Sequence, residues 1–552
     1  MKLFSKYKVP VSPEEKKQRK KEWLLLVSSG LILGISFPPI PFPVTLLIFI
    51  GLVPYLYVLN NRKSLASINR ATFIFGFVLS LVTVYWVGSW QSEADLFLMI
   101  AGVALLFALP CVLMIPSTLL YLTRKIFPKI NAIWLFPLYW VTAEYLLTLT
   151  DLKFPWVTLG NGLTKFITFI QAAEIIGEFG FSLVVGFINV FLFFAIINFK
   201  KDKRKFYRNL SFGLLIFIMF LTYGLVRKSD FKISDQKIRM GLIQPNINPW
   251  KKWDVGNLNN LLDQYLELSE KAVSKGAKVL AWPETAMPAY VFGGSYSVLA
   301  NRIHQFCDTN DVFLFTGMPD IRYYFDKEKM PDDAKFNEPG KYYYATYNSI
   351  MLISPGTIAI QKYGKMQLVP MGEKVPFVEQ LKFLGDIFKW GVGITGWNVG
   401  KDTTVFNLAL NRDDSLKISG LVCYESIFPE FVSAFAKQGA ELFVVVTNDS
   451  WYGKSSGPYQ HKQFAVLRAI ENRKSVVRCA NGGISCVINA KGETEVESEL
   501  FTKDVIVWDV PVQKGETFYS ENPKIISTLC SVFSLWIFGI NILAWLKKKL
   551  KL

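Results

Sequence analysis

The sequence predicts a multi-pass α-helical membrane bundle of about eight spans that carries one globular α/β domain. Three observations predict it. Long apolar runs crowd the first 226 residues of a 552-residue chain that is 51% hydrophobic and holds 45 Phe. From about Lys237 to Val512 the pattern changes to short strands alternating with amphipathic helices. Basic clusters sit at the ends of the apolar runs, as in Lys16-Lys17-Gln18-Arg19-Lys20-Lys21 and Lys547-Lys548-Lys549.

A spanning helix needs ~20 mostly apolar residues. The candidates are 23–37 (short), 44–59, 71–90, 96–122, 133–149, 166–197, 210–226 and 525–545. The chain thus divides into a membrane domain with seven spans (1–226), a globular domain (227–515), and a last transmembrane helix with a basic tail (516–552). Loop charge sets the orientation. Arg62, Lys63 and Arg70, then Arg124, Lys125 and Lys129, then the 200–208 cluster and the C-terminal lysines all fall on the side of the N-terminus. Both termini are therefore expected in the cytoplasm, with residues 227–524 outside. No small-residue cleavage site follows the first apolar run, so that run is expected to stay as an anchor.

The net charge of +17 then reads as anchors facing anionic lipid, not as a nucleic-acid surface. With two His and six Cys at spacings that match no zinc pattern, no metal site is expected. A Cys479–Cys486 disulfide is conceivable outside the cytoplasm, but free thiols are the expectation.

The run 166–197 exceeds one span. Glu174 and Glu178 lie i,i+4 near its start and would share one helix face. They could line a polar site at the membrane surface. An interfacial helix with both carboxylates in water is the preferred reading.

In the globular domain, strands are expected at 238–243, 279–282, 312–316, 347–353, 357–363, 416–422, 443–447, 476–479, 484–488 and 505–510. Helices are expected at 258–275, 297–307 and 460–472. Residues 320–345 and 378–402 read as loops. The second carries Phe383, Leu384, Ile387, Phe388 and Trp390, a half-apolar pattern suited to contact with lipid or to a packed lid over a site.

Three residues at strand ends carry chemistry. Cys423 follows the apolar run Ile418–Val422 and precedes a helix start, where a helix dipole favours thiolate. Glu284 ends a strand inside Trp282-Pro283-Glu284-Thr285, and Lys365 follows the strand ending at Tyr363. Any one of them alone is ordinary: a buried thiol, a cap, a surface lysine. Together they supply a general base, a nucleophile that forms a thioester, and a cation for the oxyanion, with no histidine needed.

At these residues the chain resembles the carbon–nitrogen hydrolase (nitrilase) superfamily. The segments QPNINPWKKWD, WPETAMP, KMQLVPMGEKVPF, VCYESIFPE and TNDSWYG through GPYQH to ANGG, with the eight-span frame, narrow the resemblance to the apolipoprotein N-acyltransferase family. That resemblance implies a nitrilase-like αββα sandwich on the extracytoplasmic side of a bacterial inner membrane. It implies a Glu284–Lys365–Cys423 triad, supported by Glu373, Glu425, Tyr424 and Trp253. It implies ping-pong acyl transfer from a phospholipid, usually phosphatidylethanolamine, to a diacylglyceryl-modified apolipoprotein, with no cofactor. Gln367 and Met371 stand where many relatives carry His and Phe; neither belongs to the triad. Three other readings remain beside it: a membrane-tethered amidase, a transporter or lipid-binding scaffold with an inactive nitrilase-like domain, and transfer of an acyl group to an acceptor other than a lipoprotein.

Overall fold

The computed structural model describes residues 12–254, 256–374, 376–377, 396–410 and 415–550. The apolar stretch Phe383 to Trp390 lies outside the described residues.

Among the described residues, six helical segments are long and apolar enough to cross a membrane: Val44–Asn61, Leu65–Gly88, Leu96–Ile126, Phe169–Asn198, Lys203–Asp230 and Ile525–Lys547. The other two expected spans form helix of a different kind. Pro13–Gly34 opens with a charged half, and Ser12 caps it through Glu15 N. The 133–149 run becomes a 3-10 turn, Ala132–Leu135, leading into the short helix Phe136–Leu146. Neither has the length and apolarity of a lone span. Both are held by burial, through Leu26 and Leu33 in the first and Tyr139 and Trp140 in the second. Lys203–Asp230 runs past both ends of the expected 210–226, because Asp202 accepts from Lys205 N at 3.0 Å and sets its start in the basic cluster.

The expectation for Glu174 and Glu178 is corrected. Both are buried, not in water. Nor do they share a regular helix face, because Gly177 between them sits at φ 62° and ψ −172° and breaks the helix. A Cβ there would lie 2.0 Å from the Tyr519 ring. Glu174 instead takes Arg227 (2.5 Å) and Arg473 (2.8 Å), and Glu178 takes Arg468 (2.6 Å). These arginines come from the last long N-terminal helix and from the globular domain. The carboxylates are therefore the mortise of the domain junction.

The globular domain holds two sheets. The strands are β1 (Lys237–Gln244), β2 (Val279–Trp282), β3 (Phe313–Tyr324), β4 (Lys335–Asn337), β5 (Tyr342–Ile353), β6 (Ile360–Gly364), β7 (Val405–Ala409), β8 (Ser415–Val422), β9 (Leu442–Thr447), β10 (Ser475–Ala480), β11 (Cys486–Ile488), β12 (Thr494–Glu497) and β13 (Asp504–Pro511). One sheet runs β13-β1-β2-β3-β5-β4, with β6 beside β5; the other runs β12-β11-β10-β9-β8-β7. β1, β2 and β3 are parallel, as are β8, β9 and β10. The sheets meet face to face through Phe315, Ile350, Phe406 and Val444. Gly420 lets them close: a Cβ there would lie 2.6 Å from Ile350 and 2.7 Å from Phe315. Leu258–Ser274 and Ser297–Asn310 cover the outside of the first sheet with a separate apolar cluster.

Residues 320–345 are not simply a loop. β3 and β5 stay paired out to Tyr324↔Tyr343, and β4 adds to the edge. The polar composition hid a ribbon held by cross-strand tyrosines, with Tyr323 against Tyr342 at 5.3 Å. The edge strands β7 and β12 were also unmarked by apolar runs.

The sandwich is bolted onto the bundle. Gln460 accepts from the indoles of Trp86 (3.0 Å) and Trp156 (2.7 Å), and donates to Pro38 O and Thr83 O. One buried amide thereby ties the helix Ser456–Asn472 to three segments of the bundle.

Candidate active site

The parallel strands of both sheets end at one place, and that is where α/β folds hold their sites. Glu284 lies two residues beyond β2, Lys365 one beyond β6, and Cys423 immediately after β8. Cys423 sits at φ 49°, a left-handed turn that a non-glycine residue adopts only under constraint. It opens the 3-10 turn Cys423–Ile427.

Glu425 is the constraint. Its Oε2 accepts from Val422 N (2.8 Å); its Oε1 accepts from Tyr363 Oη (2.6 Å), Met366 N (2.6 Å) and Gln367 N (3.2 Å). One buried carboxylate thus sets the cysteine elbow against the lysine loop. Burial pushes its carboxyl up to about 7, against these donors. It is fully buried and is not among the residues that line the cavity.

Lys365 is 1% exposed and lies between two carboxylates, Glu373 at 2.8 Å and Glu284 at 3.3 Å. Burial works against its charge, but Glu373 and Glu284 outweigh burial and hold its pKa above the ordinary lysine value. Asn348 donates to both carboxylates, at 2.8 and 2.9 Å. Val369 N fixes the other oxygen of Glu373 at 2.9 Å. Gly317 packs beneath Glu284, where a Cβ would lie 2.6 Å from its Cα.

Burial drives the Cys423 thiol well above its ordinary pKa; Glu284 adds to the rise and Lys365 opposes it. The expected dipole-stabilised thiolate is therefore corrected. A five-residue 3-10 turn has little dipole to offer, and desolvation beside a carboxylate wins. Burial and the Glu284 charge both favour the thiol over the thiolate.

Behind the thiol lies a second network. Thr447 Oγ1 donates to Cys423 Sγ at 3.2 Å; Asp449 holds His461 Nδ1 at 2.7 Å and Arg478 at 2.8 Å; His461 Nε2 lies 3.1 Å from Cys423 O. His461 and Arg478 hold the Asp449 carboxyl below its usual value in spite of burial. Ligand atoms of Cys423, Asp449 and His461 fall within 4.8 Å of one another. Each already has a hydrogen-bond partner, and the Arg478 guanidinium on Asp449 opposes a second cation. The set fits a hydrogen-bonded support better than a metal.

Glu284, Lys365, Glu373, Cys423, Tyr424 and Trp253 all line one cavity of 740 Å³. Tyr424 is anchored through its hydroxyl to Lys153 O at 2.7 Å. The cavity also takes Leu98, Ala101, Leu105, Ala108, Val112 and Ile115, which mark one face of the Leu96–Ile126 helix. An apolar channel therefore runs from the bundle to the thiol. Sequence reasoning missed Lys252, Asn348, Asp449 and His461. Lys252 is buried, and burial lowers its pKa to about 8. It lies inside the segment QPNINPWKKWD beside Trp253, where nothing marks it as buried. Asp449 and His461 lay inside quoted motifs, but nothing in their spacing showed that they meet. All six cysteines are free, Cys479 and Cys486 included.

The carbon–nitrogen hydrolase family profile matches residues 239–518, and the profile of the apolipoprotein N-acyltransferase N-terminal domain matches residues 29–191. An apolipoprotein N-acyltransferase of Geobacter metallireducens is 31% identical over 516 residues, 93% of each chain. One of Chlorobaculum tepidum is 29% identical over 517 residues, covering 92% of this chain and 94% of the relative. One of Rickettsia typhi is 29% identical over 468 residues, covering 84% and 86%. Over nearly its whole length, the chain belongs to the apolipoprotein N-acyltransferase family, on a carbon–nitrogen hydrolase domain.

Proposed function

We propose that this protein moves a fatty acyl chain from a phospholipid, through a thioester on Cys423, to the α-amino group of the diacylglyceryl-cysteine of an apolipoprotein. The observation that carries the reading is the single cavity that joins an apolar helix face to the Glu284–Lys365–Cys423 cluster. A hydrolase of small amides has no use for a lipid-sized channel opening from membrane helices.

In this reading each group has a task. Glu284 takes the Cys423 proton as Sγ attacks the ester carbonyl. Lys365 and the N–H of Tyr424, which lies in the first turn of its helix and lacks an intrahelical acceptor, stabilise the oxyanion. Collapse breaks the ester C–O bond, and the lysophospholipid alkoxide leaves with the proton from Glu284. The amine then attacks the thioester and forms the amide; its proton passes through Glu284 to the departing thiolate. Glu373 and Asn348 keep Lys365 charged and aimed, and Glu425 keeps the elbow and the lysine loop in register. Trp253 and Tyr424 form walls against which lipid or acceptor rests. Water must stay out of the thioester stage, or transfer becomes hydrolysis.

The donor proposed is phosphatidylethanolamine. The division proposed is a membrane domain to residue 226, a catalytic domain from 227 to 515, and a last anchor. The basic clusters support an inner-membrane orientation with both termini cytoplasmic and the catalytic domain outside.

Intact-mass spectrometry after incubation with phosphatidylethanolamine tests this directly. An acyl adduct is expected on the native chain, absent in Cys423→Ala, and discharged by a diacylglyceryl-cysteine peptide. An adduct discharged by water alone would mark a lipid hydrolase. No adduct with any phospholipid would sink the reading.

A further inference from the structure

A second cavity, of 580 Å³, opens near the C-terminal end of the Leu96–Ile126 helix, whose earlier turns line the first. It is lined by Arg62, Lys63, Arg124, Lys125 and Lys129, with Tyr121, Ile130 and Asn131, and no carboxylate is among the lining residues. Among the described residues only Arg62 of these five cations is in an ion pair, with Glu22. The site is built rather than merely basic. Arg124 Nη1 donates to Leu59 O (2.9 Å) and Arg62 O (3.3 Å), locking the end of one helix against the end of another. Its Nη2 and the Nε of Arg62 are buried with no hydrogen-bond partner among the described residues. A buried donor left unpaired is costly, so such nitrogens point to an absent acceptor.

Position narrows the acceptor. Leu98 and Arg124 lie on the same helix, one lining each cavity. Their separation is about 39 Å at 1.5 Å per residue, enough to cross the ~30 Å hydrocarbon layer. The basic cavity therefore sits at the membrane face opposite the Leu98 end of the catalytic cavity, which follows the same helix as far as Ile115. Half-exposed Ile130 and the ring of Tyr121 give it an apolar rim.

We propose that this cavity binds the phosphate head group of an anionic phospholipid in the leaflet opposite the catalytic cavity. The guanidinium nitrogens take phosphate oxygens, the lysines supply field, and the acyl chains lie along the exposed helix surfaces outside. The lipid is a structural ligand and is not consumed; its site is independent of the Cys423 chemistry.

The test is native mass spectrometry of the full chain in detergent. The probes are diether phosphatidylglycerol, which has no ester to transfer, and diether phosphatidylcholine as the zwitterionic control. Lys125→Gln/Lys129→Gln should weaken phosphatidylglycerol binding by about 30-fold, from two lost charges, and leave phosphatidylcholine binding unchanged. Lys125→Arg/Lys129→Arg should restore it. Acyl transfer in detergent should be the same in all three proteins, which certifies the fold. Equal phosphatidylglycerol affinity in the native and Gln forms would overturn the proposal. Displacement of the lipid by inorganic phosphate at matched concentration would also overturn it, by assigning the site to a soluble anion.

Discussion

Two buried ionic clusters use the same chemistry for different ends. At the site, Lys365 lies between Glu284 and Glu373. At the domain junction, Arg468 lies between Glu178 (2.6 Å) and Glu471 (3.1 Å). Both cations are about 1% exposed. The junction cluster is packed with further donors: Thr158 and Asn161 both donate to Glu178, and Glu471 also takes Glu178 N. The site cluster borders a cavity and a protonated thiol, so its charges can rearrange around a substrate. A buried ion pair enclosed by donors from both domains is suited to be a joint. The same pair facing a cavity is placed for catalysis.

Substitution should separate the two. The largest effect is expected from Cys423→Ala, which should abolish the acyl adduct and lower turnover by at least about 10³-fold while thermal unfolding stays near that of the native chain. Arg468→Met should do the reverse. Removing one partner of a buried pair costs about 3–5 kcal/mol, so unfolding should come at lower temperature, while the folded fraction still forms the adduct at a normal rate. A normal melting profile for Arg468→Met would erase the distinction between joint and catalyst.

Smaller changes sharpen it. Glu373→Gln leaves Lys365 with Glu284 and removes one charge-assisted bond, worth about 1.5–3 kcal/mol. Acylation should slow by roughly 10- to 100-fold, with little change in lipid KM. Ala108→Phe narrows the apolar channel without touching a charge. It should shift the preferred acyl chain toward shorter donors, by about tenfold in relative kcat/KM, as read from product lipids.

The smallest effect is a pH slope. Burial raises the Glu425 carboxyl to about 7, above its unfolded value of ~4.3. Folding thus favours its protonated form, and its contribution to stability declines as pH rises from about 4.3 to about 7, then levels. Glu425→Gln should remove that part of the slope in melting temperature measured across pH 4 to 8. An identical slope in both proteins would show that Glu425 titrates normally.

Much of the site is legible in the sequence, because each triad member ends a strand that its apolar neighbours announce. Glu284 and Cys423 follow runs that can only be buried strands, and the Lys365–Glu373 spacing falls in one motif. Asn348 is invisible there for the opposite reason: it lies inside β5, where a polar residue carries no punctuation. The paired tyrosines of β3 and β5 read as loop because polarity masks an edge ribbon whose partner is close in space. Glu174 and Glu178 are misplaced for a related reason. A carboxylate in an apolar run reads as solvent-facing until its arginines are known to meet it, and Arg473 lies 299 residues from Glu174.

The sequence alone announced six of the long apolar helices, most of the strands of the globular domain and the three candidate residues at strand ends. These rest on local hydrophobicity and charge, which any short window displays. Only the tertiary structure decided that burial disfavours the Cys423 thiolate, that Glu425 lies buried between the elbow and the lysine loop, and that one face of a membrane helix continues into the cavity at Cys423. It also decided that two helix ends enclose a second, basic cavity. Such facts depend on burial and on distances between residues far apart in sequence, and pattern along a chain carries neither.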